Sequence, residues 1–164
     1  MTPAFIADAM LGSLARSLRL FGYDTLYAGD LETDRGALPD GDIYQIALQT
    51  GRIVLTRDGQ FSLRDPARVV LVAGTTTREQ LASVKAKLGI MLVFDQATSR
   101  CLRCNARLAP VPKERVQGRV KEGTLRTIDA FWECTGCQQL FWRGAHFRDS
   151  DGLLSKFDGL VDDR

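Results

Sequence analysis

Over the first 95 residues, short apolar runs alternate with stretches whose apolar side chains recur at three- and four-residue spacing. Phe5-Ile6-Ala7 is the first run, and Leu11, Leu14, Ala15, Leu18 and Phe21 follow on one face of a helix that begins near residue 9. Gly22 stands where that helix ends, because only glycine takes the left-handed conformation after a helix without steric cost. The pattern predicts further strands over 24–27, 52–56 and 67–72, with a last one over 90–94. Two more helices lie between them. One covers about 42–49, with Asp40 as its N-cap, Ile43, Ile46 and Ala47 on its buried side and Gly51 closing it. The other opens with Thr77 and Gln80 as a capping box, turns Leu81, Val84 and Leu88 inward, and stops at Gly89. Alternating strands and helices predict an α/β fold, a parallel sheet covered on both faces.

Composition leaves that picture unchanged, because 45% hydrophobic and 26% charged residues are ordinary for a globular chain. No apolar run approaches the roughly 18 residues of a membrane span, so no membrane partner is expected. The residues around Met1-Thr2-Pro3 lack the basic and long apolar stretches of an export signal, and a cytoplasmic location is expected. Charge changes the picture more. Residues 1–95 carry a net −1, residues 96–148 a net +6 and residues 149–164 a net −3. A basic segment followed by an acidic end predicts contact with a polyanion, through residues such as Arg115, Arg119 and Lys121; a solvated basic surface is the alternative.

The predicted layout places three carboxylates informatively. Asp8 follows the first strand and Asp58 the third, at the carboxyl edge where open α/β sheets build their sites. Asp42 lies in the first turn of the helix before the third strand. Each has a purely structural alternative: Asp8 as a helix cap, Asp42 as an offset to the helix dipole, Asp58-Gly59 as a turn. Taken together at one edge they would repel one another without a cation, and hard oxygen ligands suit Mg²⁺ or Mn²⁺. Such sites hydrolyse phosphodiesters with an activated water. No G-x-S-x-G elbow accompanies the single His146, and neither a P-loop nor a G-x-G-x-x-G sequence is present.

Cys101-Leu102-Arg103-Cys104 and Cys134-Thr135-Gly136-Cys137 form two C-x-x-C knuckles, separated by 29 residues. In a reducing compartment such pairs read as a closed four-thiolate zinc site, with a hairpin and a long loop filling the gap. Four thiolates and one Zn²⁺ leave the surrounding segment basic, which keeps its attraction for phosphate. His146 is expected to pack, since four cysteines already complete a tetrahedron.

Several of these stretches together resemble a known family. They are Phe5-Ile6-Ala7-Asp8-Ala9-Met10-Leu11-Gly12, Leu14 to Thr25, Arg52-Ile53-Val54-Leu55-Thr56-Arg57-Asp58, Arg100 to Asn105, Cys134 to Cys137 and Phe141 to Phe147. In this order they look like the Mut-seven C-terminal ribonuclease domain family. The resemblance implies a PIN-like nuclease domain over 1–95, a four-cysteine zinc ribbon over 96–150 and an acidic tail over 151–164. It further implies metal-dependent RNA cleavage, with Asp8, Asp42 and Asp58 holding Mg²⁺ or Mn²⁺ and the four cysteines holding Zn²⁺. One departure stands out: PIN nucleases usually carry a further acid after the next strand, whereas Val69-Val70-Leu71-Val72 runs into Ala73-Gly74-Thr75. Arg16, Arg19 and Arg57 are the expected RNA contacts beside the acids, with Phe141, Trp142 and Phe147 able either to stack on bases or to pack the ribbon. The alternative function is a catalytically inactive RNA-binding or protein-interaction module.

Overall fold

In β1 (Phe5–Ala7), Phe5 and Ala7 face one side of a parallel sheet and Ile6 faces the other, as the two-residue period of a strand requires. The computed structural model describes residues 1–31, 34, 36–143 and 154–163. The sheet contains β2 (Thr25–Tyr27), β3 (Ile53–Thr56) and β4 (Val69–Leu71) in the order β2-β1-β3-β4, all parallel. α1 (Gly12–Leu20) and α4 (Thr77–Leu88) cover the side of Phe5, Ala7 and Leu55. On the side of Ile6, Val54 and Val69 lie α2 (Asp40–Thr50) and α3 (Gly59–Leu63). The chain leaves β1 in one direction to reach β2 and returns to its other flank as β3. The carboxyl ends of β1 and β3 therefore border the point where the strand order reverses, where doubly wound sheets open a crevice.

Several expected boundaries shift for identifiable reasons. α1 is preceded by a short 3-10 turn, Ala9–Leu11, which Asp8 caps. Pro39, with extended backbone, takes the N-cap of α2, so Asp40 becomes its first helical residue. The capping box of α4 is Thr76 with Glu79, one residue before the expected pair. Glu79 offers a charged acceptor to Thr75 N and Thr76 N at 2.8 and 3.0 Å, which the amide of Gln80 cannot match. Residues 90–94 form no strand. Ile90 and Leu92 are buried as expected, but the Leu92 backbone pairs with Asp162, and Tyr23 donates to the Met91 carbonyl. The segment expected as an acidic tail thus packs, over its described residues 154–163, onto the α/β half. Phe157 is buried against Phe21 and Asp162 pairs with Lys85 at 2.6 Å.

The second sheet is antiparallel, β5 (Leu108–Val111), β6 (Phe131–Cys134) and β7 (Leu140–Trp142) in that order. The long gap between the C-x-x-C pairs contains the β5–β6 hairpin and, in its connection, the short helices α5 (Lys113–Val116) and α6 (Glu122–Thr127). Val116, Phe131 and Leu140 form a small core there, joined by Trp142, whose ring lies 5.9 Å from that of Phe131.

Candidate active site and metal centre

β1 runs directly into Asp8 and β3 into Arg57 and Asp58, so both acids leave the same edge of two neighbouring strands. Asp8 is buried. Its Oδ1 accepts from Met10 N at 2.8 Å and its Oδ2 from the hydroxyl of Thr56. That hydroxyl in turn accepts from Asp58 N at 3.0 Å, so a buried threonine ties the ends of the two strands together. Asp58 caps α3, with Oδ1 accepting from Gln60 N and Phe61 N at 2.7 and 3.3 Å. Asp8 and Asp58 are therefore both structural caps and neighbours at the sheet edge.

The third acid in this field is Asp40. Although Asp40 is exposed, some loss of solvent around its carboxyl, then repulsion from Asp58 and from Asp8, raise its pKa above the ordinary value, while Arg64 pulls the other way. The family resemblance had put Asp42 in this place. Asp40 and Asp42 are both exposed in the first turn of α2, and two helical residues set them on different sides of the helix, about 200° apart. Asp40 is thus a first-turn helical residue and not the expected N-cap, and Thr56 joins the edge unannounced by any motif. The signals for them were an acid next to Pro39 at a helix entrance, and a hydroxyl residue at the buried end of β3 two places before Asp58.

In the ribbon, one ligand atom from each of Cys101, Cys104, Cys134 and Cys137 lies within 4.8 Å of all the others. Cys101 and Cys137 sulfurs are 3.6 Å apart and those of Cys104 and Cys134 3.3 Å. A tetrahedral zinc with bonds of about 2.3 Å sets its sulfurs about 3.8 Å apart, so the four fit such an ion closely. Gly136 N and Cys137 N both point at Cys134 Sγ at 3.3 Å. Burial pushes the Cys101 thiol up to about 12 and raises that of Cys134. Cys104 is also raised by burial, but the Ala106 amide and the neighbouring thiols outweigh it and bring it down to about 7. Four sulfurs packed this closely could hold a metal such as zinc as thiolates. Among the described residues no other group of metal-ligating side chains is so contracted, and the three acids stand further apart.

The model of the Mut7-C RNAse domain matches residues 3–154, taking in the acidic edge and all four cysteines. The chain belongs to that family. No curated protein and no solved structure matches it. The Mut7-C RNAse domain is by its description a ribonuclease-type domain, carried here by a parallel α/β sheet with a cysteine cluster compatible with a zinc ribbon. None of the described helices is long and apolar enough to cross a membrane.

Within this Mut7-C RNAse domain the expected RNA contacts separate. Arg57 is exposed beside Asp58, and Arg16 is exposed on α1. Arg19 is not available to a ligand, because it is only 3% exposed and its donors are committed. Nε reaches the Thr25 carbonyl, Nη1 the carbonyls of Leu102 and Arg103, and Nη2 the carboxylate of Asp30. Arg115 and Lys121 are exposed, whereas Arg119 is tied to Glu133 at 2.7 Å and to the Gln138 carbonyl. Phe141 packs against the cysteine cluster and Trp142 against Phe131, so both aromatics pack the ribbon. His146 and Phe147 lie outside the described residues.

Proposed function

We propose that the chain is a metal-dependent ribonuclease whose acidic centre is Asp8, Asp58 and Asp40, with a zinc ribbon that helps to hold the RNA. The observation that carries this reading is the linkage of Asp8 and Asp58 through Thr56 at the carboxyl edge of β1 and β3, with Asp40 close enough to feel the charge of both. Oxygen donors in that number suit Mg²⁺ or Mn²⁺. Such an ion, when bound, supplies an acidified water and charge to balance the leaving oxygen. The chain's own part is positioning. Met10 N and Thr56 fix the rotamer of Asp8, α3 fixes Asp58, and Arg64 balances Asp40 electrostatically. Arg57 stands beside Asp58, suited to a phosphate oxygen. Zn²⁺ on Cys101, Cys104, Cys134 and Cys137 would hold the ribbon's fold, leaving Arg115 and Lys121 to meet the RNA backbone.

Cleavage of single-stranded and structured RNA, with and without Mg²⁺ or Mn²⁺, tests the reading against Asp8→Asn. Asparagine keeps the size and can still cap the turn at Ala9 but loses one of its two acceptors, the one facing Thr56, so a melting curve accompanies the assay; RNA binding is expected to persist while cleavage falls by orders of magnitude. Equal cleavage by both proteins would end the acidic-site mechanism. A second reading, RNA binding without cleavage, draws on the structural caps that Asp8 and Asp58 already form and on the loop after β4. No acid follows β4 directly there, and Glu79 is committed to Thr75 and Thr76. Wild type that binds RNA but cuts none decides for that reading.

A further inference from the structure

α1 and α4 lie side by side on one face of the sheet, and both begin at the edge that carries Asp8 and Asp58. Between their first turns is a cavity of about 420 Å³. Arg16 and Ser13 of α1, Thr76 and Arg78 at the entrance of α4, and Lys156 from the C-terminal segment line it. Three cations thus converge from three separate parts of the chain, and all three side chains are exposed. Among the described residues none of the three is ion-paired. The nearby Glu79 carboxylate turns away to the backbone of Thr75 and Thr76 and lines a different depression. Thr76 accepts from Glu79 N, which leaves its hydroxyl proton to donate elsewhere.

Three exposed cations beside hydroxyl donors at one cavity offer an anion several donors at once, and phosphate oxygens are the acceptors that this donor set matches. Ser13 lies five positions after Asp8, and the 3-10 turn rises about 2 Å and the helix about 1.5 Å per residue. The cavity mouth is therefore on the order of 10 Å from the acidic centre. We infer that this cavity is a phosphate subsite, which holds a backbone phosphate of the RNA flanking the one that is cut. The inference rests on the ribonuclease reading for its substrate. The C-terminal segment completes the subsite: Phe157 anchors the segment in the core against Phe21, Arg78 donates to the Lys156 carbonyl at 3.2 Å, and Lys156 contributes its ammonium.

The test measures binding of a short single-stranded RNA of mixed sequence to the full chain across a salt series, without added divalent metal. Arg16→Ala and Lys156→Ala are each expected to weaken binding about two- to fivefold. The double variant should lower the slope of log affinity against log salt by about 0.7 for each phosphate that is no longer neutralised. In cleavage assays it should raise KM with kcat unchanged. Because Arg78 also holds the segment, the double variant leaves Arg78 in place. Lys87→Ala, at the far end of α4, removes the same charge away from the cavity and serves as the control. Losses equal to the control's, or an unchanged slope and KM, overturn the subsite. A wild type that binds but does not cut defeats the ribonuclease reading alone, and the salt slope still decides the subsite.

Discussion

Arg19 Nη1 donates to the carbonyl of Leu102 at 2.9 Å, joining the last turn of α1 to the first cysteine knuckle. The same guanidinium reaches Thr25 and Asp30, and Asn105 adds a second clasp, accepting from Thr25 N and donating to Asp24. The ribbon is therefore fastened to the α/β half through buried polar contacts. Arg19→Ala leaves the buried Thr25 carbonyl and the half-buried Leu102 carbonyl without their donor and is expected to cost about 1–3 kcal/mol in thermal or denaturant unfolding. Arg19→Lys should recover little, because a point ammonium cannot span the forked set of acceptors. A loss below about 1 kcal/mol would show that the clasp is dispensable.

Freshly purified, reduced protein should contain about one zinc per chain, and Cys101→Ser should lose most of it. The motivation is the close fit of four sulfurs to one tetrahedral ion. Because Leu102, Arg103 and Asn105 sit in and beside the knuckle, strong chelation should also lower the melting temperature of the α/β half. Metal analysis that finds no zinc refutes the assignment, and an unchanged α/β transition refutes the coupling.

The parallel sheet was legible because each strand is a short apolar run between glycine- or acid-marked turns, and periodicity is a local signal. The run over 90–94 misled for the same reason. Buried Ile90 and Leu92 look like a strand, but the backbone of Leu92 is partnered by Asp162, seventy residues on, and no local pattern announces it. Arg19 shows the same limit from the polar side. Helical spacing puts it near Arg16, yet one turn of α1 separates an exposed cation from a buried clasp. The cysteine cluster was fully legible, since four identical ligands in two pairs leave few alternatives. The start of α2 was less legible: Pro39 takes the N-cap and brings Asp40 into the first helical turn beside Asp42, and substitution of each decides which of the two serves the acidic edge.

Acid should remove stability that Glu79 supplies. Hydrogen bonds from Thr76 and Thr75 hold its carboxyl down at about 2, below its ordinary value of 4.5. A carboxyl depressed in the folded state contributes stability above its unfolded pKa and loses it as pH falls through the folded one. The melting-temperature gap between wild type and Glu79→Ala should therefore be constant above about pH 5 and narrow between pH 4.5 and 2. A gap independent of pH over that window would show that the carboxylate charge plays no part in capping α4.

Asp40→Asn and Asp42→Asn separate the geometry from the family expectation. Both lie in the first turn of α2, so each substitution removes a similar favourable interaction with the helix dipole, roughly 0.3–1 kcal/mol, and their effects on stability should be alike. Their effects on catalysis should differ. Asp40 is in the electrostatic field of Asp8 and Asp58, and losing its charge from a cation site at that edge should slow metal-dependent RNA cleavage by about a hundredfold or more. Asp42, about 200° away on the helix, should leave the rate within about threefold of wild type. Metal dependence provides the independent readout: Asp40→Asn should need more Mg²⁺ or Mn²⁺ for half-maximal rate, and Asp42→Asn the same amount as wild type. Should Asp42→Asn prove the slower enzyme, with its metal requirement raised and that of Asp40→Asn unchanged, then α2 must turn on binding substrate or metal, and the third ligand is the one the family resemblance implied.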